Sequence, residues 1–146
     1  MTEQTPRVGG VIVTHGHLAS ELLAAAETII GPILHISAIS IGWHDDVEAA
    51  RQEIARSISQ VSQGRGTLLL TDMFGGTPTN IAAMFLQEGE VEVVTGVNLP
   101  MVIRLSNQSA GETLAEVAHR VREQGREAIY LAGEMLKPHK AAGVKG

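Results

Sequence analysis

Short apolar segments alternate with longer segments of helical periodicity along the whole chain. Strands are predicted from the apolar runs at residues 8–14, 33–41, 67–71, 91–95 and 128–131. Helices are predicted where apolar side chains recur at helical spacing, at residues 18–30, 45–63, 77–87, 101–105 and 111–123. Strands that alternate with helices in this way indicate an α/β fold with a mainly parallel sheet.

The helix boundaries carry start and stop signals. Asp45 with Glu48 three residues later predicts a capping box at the start of the second helix. Thr77 followed by Pro78 predicts an N-cap residue and a proline at the first position of the third helix. Gly125 predicts the end of the last long helix, since glycine is common just past a helix C-terminus.

Composition narrows the classes of function. The chain has 146 residues, enough for one domain with a real core, and contains no cysteine, which excludes a disulfide framework and a thiol nucleophile. A net charge of −5 and only four aromatic residues argue against a nucleic-acid binder. The six histidines are therefore the main source of nucleophilic and acid–base chemistry.

The termini and the apolar runs bear on location. No apolar run approaches the length of a membrane span, and the first seven residues lack the order of a signal peptide. The expectation is a soluble cytoplasmic protein. The last ten residues, 137–146, are expected to form a flexible tail.

Two candidate catalytic residues lie at the ends of predicted strands. His15 follows the first strand, and Asp72 follows the third. Parallel sheets bind ligands at the carboxyl ends of their strands, where the strand order reverses. If the first and third strands are neighbours, as in a flavodoxin-like order, Asp72 can accept the Nδ1–H of His15. The Nε2 lone pair would then face solvent.

Gly75, Gly76 and Thr77 form a candidate anion site next to this pair. Free amides and the helix dipole at a helix N-terminus attract anions, and the Thr77 hydroxyl adds a donor. The alternative is a tight turn that needs glycine only for positive φ angles. A neutral imidazole oriented by a carboxylate and facing amide donors is suited to accept a phosphoryl group without a metal or cofactor.

Three segments together carry a resemblance to a known family: residues 10–16 (GVIVTHG), 72–80 (DMFGGTPTN) and 96–101 (GVNLPM). They resemble the IIA domain of the mannose/fructose/sorbose family of the bacterial phosphoenolpyruvate:sugar phosphotransferase system. The likeness covers about residues 8–136, which predicts one IIA domain over residues 1–136. Some family members have serine where this chain has Thr77, a change that keeps the hydroxyl donor.

The resemblance implies a phosphocarrier and a fold. It implies that His15 takes a phosphoryl group on Nε2 from phospho-HPr and passes it to a histidine of a IIB protein for sugar uptake. The chain ends at Gly146, so the IIB protein is expected to be separate. The implied fold is a three-layer α/β/α arrangement with a five-stranded flavodoxin-like sheet. The implied oligomer is a homodimer in which the C-terminal strand, within residues 126–132, crosses to the partner.

Apolar residues beside the predicted site suggest a docking rim for partner proteins. Met73 and Phe74 lie at the tip of a loop where solvent is expected. Asn98, Leu99 and Pro100 are predicted to form the opposite wall. The partners would be phospho-HPr and a IIB protein, with a membrane reached only indirectly through a permease complex.

Two other readings remain at this point. A regulatory IIA protein would use phosphorylation of His15 to switch the binding of a partner protein rather than to feed transport. A nucleotide- or metal-dependent enzyme is disfavoured, because the chain lacks a G-x-G-x-x-G motif and a P-loop lysine. His15 and His17 lack an evident third metal ligand. The remaining histidines are predicted to be structural or on the surface: His35, His44, His119 and His139.

Overall fold

A parallel sheet lies at the centre of the computed structural model, which describes residues 5–42 and 46–137. Within these residues the sheet has four strands: β1 (Gly9–His15), β2 (Ile36–Ile41), β3 (Thr67–Thr71) and β4 (Val91–Thr95). Their order is β2-β1-β3-β4, and every neighbouring pair is parallel. The chain moves outward to β2 on one side of β1 and to β3 on the other. The order therefore reverses between β1 and β3, as the flavodoxin-like prediction requires.

Helices cover both faces of the sheet. The helices are α1 (Leu18–Ile30), α2 (Val47–Val61), α3 (Gly76–Ala83), α4 (Leu99–Ser106), α5 (Leu114–Glu127) and the short α6 (Ala132–Met135). Apolar residues of α1, α4 and α5 pack on one face, and those of α2 and α3 pack on the other. The predicted three-layer α/β/α arrangement is confirmed. No helix in the described ranges is both long and apolar enough to cross a membrane.

The two core layers follow from the alternation of side chains along the strands. In β3, Leu68 and Leu70 face α1, α4 and α5, whereas Leu69 faces α2 and α3. Every residue of β3 is buried, which explains why its sequence is apolar without alternation. Such a strand must lie between two others, and it does.

The predicted fifth strand at residues 128–131 is wrong for the single chain. Ile129, Tyr130 and Leu131 are 76%, 64% and 67% exposed, and the segment only links α5 to α6. A strand needs a neighbour that pairs with its backbone groups. Within the described residues, 128–131 has no such neighbour, and its apolar side chains lie in solvent. The exchange of this segment in a dimer stays a prediction.

Two predicted helix ends were also wrong. Helix α5 continues through Gly125 to Glu127. Gly125 permits close packing instead of ending the helix, because a Cβ there would lie 2.4 Å from the sulfur of Met101. Helix α3 begins at Gly76 with Gly75 as its N-cap residue, so Thr77 is not the N-cap.

The capping box predicted for α2 does not form. The N-cap residue is Asp46, whose side chain makes no capping hydrogen bond, and Asp45 lies outside the described residues. The Glu48 carboxylate pairs with Arg51 instead. A capping box does form at the start of α5, where Thr113 and Glu116 each bond the backbone N–H of the other.

Candidate functional site

The carboxyl ends of β1 and β3 bring His15 and Asp72 together. Val13 pairs with Thr71 across these two strands, so the residues that follow lie at the same edge of the sheet. The distance from His15 Nδ1 to Asp72 Oδ2 is 2.7 Å, and the backbone N–H of His15 donates to the same oxygen at 3.0 Å. Both the ring and the backbone of His15 are therefore tied to one carboxylate oxygen.

The environment of Asp72 favours its ionised form. Its partial burial raises the pKa, but the hydrogen bonds from the His15 ring and backbone outweigh burial and hold the pKa of Asp72 below its ordinary value. An ionised carboxylate only accepts hydrogen bonds, so the proton between the two groups belongs to His15 Nδ1. In the neutral ring, the lone pair is then on Nε2. The His15 side chain is 52% exposed, which leaves the ring accessible.

The turn from β3 to α3 passes directly beside the His15 ring. Gly75 and Gly76 have φ angles of +85° and +83°, which favour glycine. The turn geometry alone accounts for both glycines, as the alternative interpretation held. A second observation goes further, because a Cβ on Gly76 would lie 3.3 Å from His15 Cε1 and 3.6 Å from Nε2. The N-terminus of α3, which has no side-chain cap, therefore lies next to Nε2.

An open pocket of about 540 Å³ adjoins the ring. It is lined by His15, Gly16, Ile41, Gly42 and Thr77. The Thr77 side chain is exposed and belongs to this lining. These lining residues bring together the imidazole, a hydroxyl donor and little side-chain bulk, which suits a small anionic group carried by a larger partner.

The turn after β1 is held by a buried hydroxyl. The Oγ1 of Thr14 accepts a hydrogen bond from the backbone N–H of Ala19 at 2.7 Å and donates to the carbonyl of His15 at 3.1 Å. The N–H of Gly16 donates to the carbonyl of Ile41. His15 thus sits on a backbone that is fixed to both α1 and β2.

Sequence reasoning missed a second pair of buried threonines, Thr71 and Thr79. Their hydroxyl oxygens are 2.6 Å apart, and Thr79 also donates to the carbonyl of Met73. A signal was present in the sequence, since Thr71 and Thr79 are polar residues at positions where the pattern predicts burial. The hydrogen-bond partners were not apparent from that signal.

The residues of the predicted docking rim differ in exposure. Met73 and Phe74 are 54% and 85% exposed at the loop tip. Asn98 instead caps α4, accepting from the N–H of Met101 and donating to the carbonyl of Gly125, both at 3.2 Å. Leu99 and Pro100 are half-buried, and Leu99 packs against the core.

The remaining histidines lie away from the ring of His15 or outside the described residues. His17 occupies the N-cap position of α1, and His119 contacts Arg122 on the surface of α5. His35 is buried just before β2 and faces the carbonyl of Leu105. Burial lowers the pKa of His35 despite this contact. The predictions for His44 and His139, like most of the 137–146 tail, fall on residues that are not described.

Comparison with known proteins gives concordant matches. The model of the EIIA-man family, described as "PTS system fructose IIA component", matches residues 9–122, a range that contains both His15 and Asp72. The mannose-specific EIIAB component of Escherichia coli (strain K12) is 30% identical over 121 residues, which are 82% of this chain. The chain spans only 38% of the length of that relative. The fructose-specific EIIA component of Bacillus subtilis (strain 168) is 23% identical, with 90% of this chain and 91% of the relative covered.

Solved structures show the same fold. The mannose/sorbose specific IIA subunit from Enterococcus faecalis is 28% identical, with a TM-score of 0.76 over 86% of this chain and 94% of that one. An EIIA component from Streptococcus agalactiae, at 22% identity, has a TM-score of 0.77 over 87% of this chain and 98% of that one, and supports the fold alone. With its model matched over most of the chain, the protein belongs to the EIIA-man family of phosphotransferase-system IIA components.

Proposed function

We propose that the chain is a phosphocarrier that accepts a phosphoryl group on Nε2 of His15 from phospho-HPr and passes it to a histidine of a IIB protein. The observation that carries this proposal is the 2.7 Å contact between His15 Nδ1 and Asp72 Oδ2. It directs the Nε2 lone pair away from the carboxylate and toward the open pocket. The family is one of phosphotransferase-system IIA components, to which such a role belongs.

The proposed step exchanges one phosphorus–nitrogen bond for another. The Nε2 lone pair of His15 attacks phosphorus and forms the new bond, while the electrons of the old bond return to the ring nitrogen of the donor histidine. His15 keeps its Nδ1 proton, so its ring gains positive charge as the bond forms. The adjacent carboxylate of Asp72 stabilises that charge. The reverse sequence on an acceptor histidine completes the transfer, with no cofactor or metal in the balance.

The N-terminus of α3 supplies the complementary interaction with the phosphoryl oxygens. Gly76 lies beside Nε2, and amides at an uncapped helix N-terminus are donors to anions. In this proposal Gly75, Gly76 and Thr77 bind the oxygens of the phosphoryl group as it moves. Fixed donors of this kind act without reorganisation at the moment of reaction.

The same proposal includes a docking surface and an assembly. The exposure of Met73 and Phe74 beside the site supports their contact with the partner protein. Asn98, Leu99 and Pro100 take part more weakly, because their side chains are held by the fold of their own chain. Residues 1–136 act as the IIA domain with 137–146 as a tail. The exposed apolar segment 128–131 supports a homodimer on the cytoplasmic side of a permease complex.

Phosphorylation with purified components tests the proposal. The chain is incubated with phosphoenolpyruvate, enzyme I and HPr, and phosphate on histidine is detected as acid-labile and alkali-stable label. We expect labelling of the wild type and of His119→Ala, a control that removes an exposed histidine on α5. We expect none of His15→Ala. Unlabelled wild type, or labelled His15→Ala, would overturn the assignment.

A second stage separates transfer from regulation. Labelled protein is isolated and mixed with a IIB protein encoded near the gene. Loss of label from His15 with gain of label on IIB supports the carrier role. Label that stays on His15, together with a partner protein that is recovered only with the phosphorylated form, would replace the carrier role by a regulatory one.

A further inference from the structure

The two chain neighbours of Asp72 are both tied to one hydroxyl on α3. The Oγ1 of Thr79 lies 2.6 Å from the Oγ1 of Thr71, the residue before Asp72. The same atom donates to the carbonyl of Met73, the residue after Asp72. Thr71 is fully buried and Thr79 is 7% exposed, so these bonds are shielded from water. The backbone on either side of the carboxylate is thus fixed to α3.

The direction of this hydrogen-bond chain follows from the donors available. A threonine hydroxyl carries one hydrogen, and that of Thr79 is used on the carbonyl of Met73. The bond between the two hydroxyls must then run from Thr71 to Thr79. Thr79 is therefore both donor and acceptor, and a side chain without a hydroxyl at this position loses both bonds at once.

The carboxylate of Asp72 is poorly anchored by its own contacts. Both hydrogen bonds that Oδ2 accepts come from His15, and Oδ1 is buried without a hydrogen-bond partner in the described part of the chain. The side chain has no bond to a group other than the histidine that it is meant to orient. The geometry of the pair therefore depends on the backbone at residues 71–73.

We propose that Thr79 is a positioning residue for phosphoryl transfer, acting through Asp72 on Nδ1 of His15. Because Thr79 belongs to α3, it also fixes the distance between the Asp72 loop and the N-terminus of that helix. One hydroxyl thus coordinates the group on the Nδ1 side of the ring with the amides on the Nε2 side. The inference rests on the proposed function, and its test includes a measurement that is independent of phosphorylation.

The test compares two variants that remove different parts of the same side chain. Thr79→Val keeps the branched shape and loses the hydroxyl, whereas Thr79→Ser keeps the hydroxyl and loses the methyl group. Thr67→Val is the control, since Thr67 is a buried threonine at the other end of β3. For each protein, the single-turnover rate of His15 phosphorylation by phospho-HPr is measured. The His15 ring is followed by nitrogen–proton NMR across a pH titration.

For Thr79→Val we expect a rate lower by about 10- to 100-fold, since small displacements of a reacting group have effects of this size. The Nδ1–H signal of His15 should move toward its position in Asp72→Asn. Thr79→Ser should retain the rate to within a few-fold, and Thr67→Val should match the wild type. In the Asp72→Asn background, Thr79→Val should have little further effect, because its route of action is already removed.

Each outcome decides the inference. A wild-type rate and an unchanged Nδ1–H signal in Thr79→Val would overturn it, as would an equal rate loss in Thr79→Val and Thr79→Ser. Should Thr79→Val not fold, Thr71→Val removes the donor of the hydroxyl pair, and an unchanged Nδ1–H signal there would overturn the inference. If the wild type is not phosphorylated, the proposed function fails, while the NMR comparison still decides whether Thr79 positions the pair.

Discussion

The close approach of Gly76 to His15 gives a prediction that separates backbone strain from damage to the site. In Gly76→Ala, the new Cβ would lie 3.3 Å from Cε1 and 3.6 Å from Nε2 of the ring. The φ angle of +83° is also one that alanine rarely adopts. The substitution therefore has two effects, a strained backbone and a displaced imidazole.

The magnitudes of these two effects differ. A non-glycine residue in such a conformation costs about 1–3 kcal/mol, equivalent to roughly 3–10 °C in Tm for a chain of this size. The steric contact adds little to stability, because the His15 side chain is 52% exposed and its ring can give way by a few tenths of an ångström. The same displacement moves the nucleophile relative to the α3 amides. We expect phosphorylation to slow by about 100-fold, since misplacement of about 1 Å has an effect of this size.

Gly111→Ala is the matched control. Gly111 has a φ angle of +82°, and a Cβ there meets no atom within 4 Å. Thermal unfolding should show a similar loss of stability in both variants. Single-turnover labelling by phospho-HPr should be slow in Gly76→Ala and normal in Gly111→Ala. Normal labelling of Gly76→Ala, or equally slow labelling of both, would refute the reasoning that the ring needs this space.

Three further predictions concern separate parts of the chain. The pKa of Asp72 lies below its ordinary value of 3.8, so its ionised form stabilises the fold above that pH and the contribution is lost as the pH falls through the folded value. Denaturant titrations should therefore show the stability difference between wild type and Asp72→Asn shrinking from about pH 6 to about pH 3. Glu112, 7% exposed, accepts a hydrogen bond from Arg120 Nε at 2.8 Å. Glu112→Gln should lower the free energy of unfolding by about 1–3 kcal/mol and leave the labelling rate of His15 unchanged. Phe74→Ser should leave Tm unchanged, because the ring is 85% exposed, and should raise the KM for phospho-HPr; an unchanged KM would remove Phe74 from the docking surface.

The architecture was predictable because the strands are short and clearly separated. An apolar run such as 67–71 has no polar side to expose, so it predicts a central strand. Once β1 and β3 are placed as neighbours, the position of His15 and Asp72 follows from chain direction alone. The fold and the meeting of these two residues thus needed only local patterns and the rules of parallel sheets.

Features that depend on distant contacts were not predictable in this way. Residues 128–131 have the apolar, β-prone composition of a strand, but composition does not supply a neighbour. Gly125 has the residue type of a helix stop, yet it is required by the side chain of Met101, which approaches α5 from another helix. In both cases a local signal has two physical explanations, and only the tertiary packing decides between them.

The site shows the same division between position and orientation. Topology brings Asp72 to His15, but the carboxylate is oriented by Thr79, whose polar side chain appears in the sequence only as a residue in an apolar helix face. The two sides of the ring are consequently controlled by different groups. Gly76 leaves space at Nε2, whereas Thr79 acts on Nδ1 through Asp72. Gly76→Ala should therefore disturb mainly the Nε2 resonance of His15, and Thr79→Val mainly that of Nδ1–H. A shared disturbance of both nitrogens by either variant would mean that the turn and the carboxylate move as one unit.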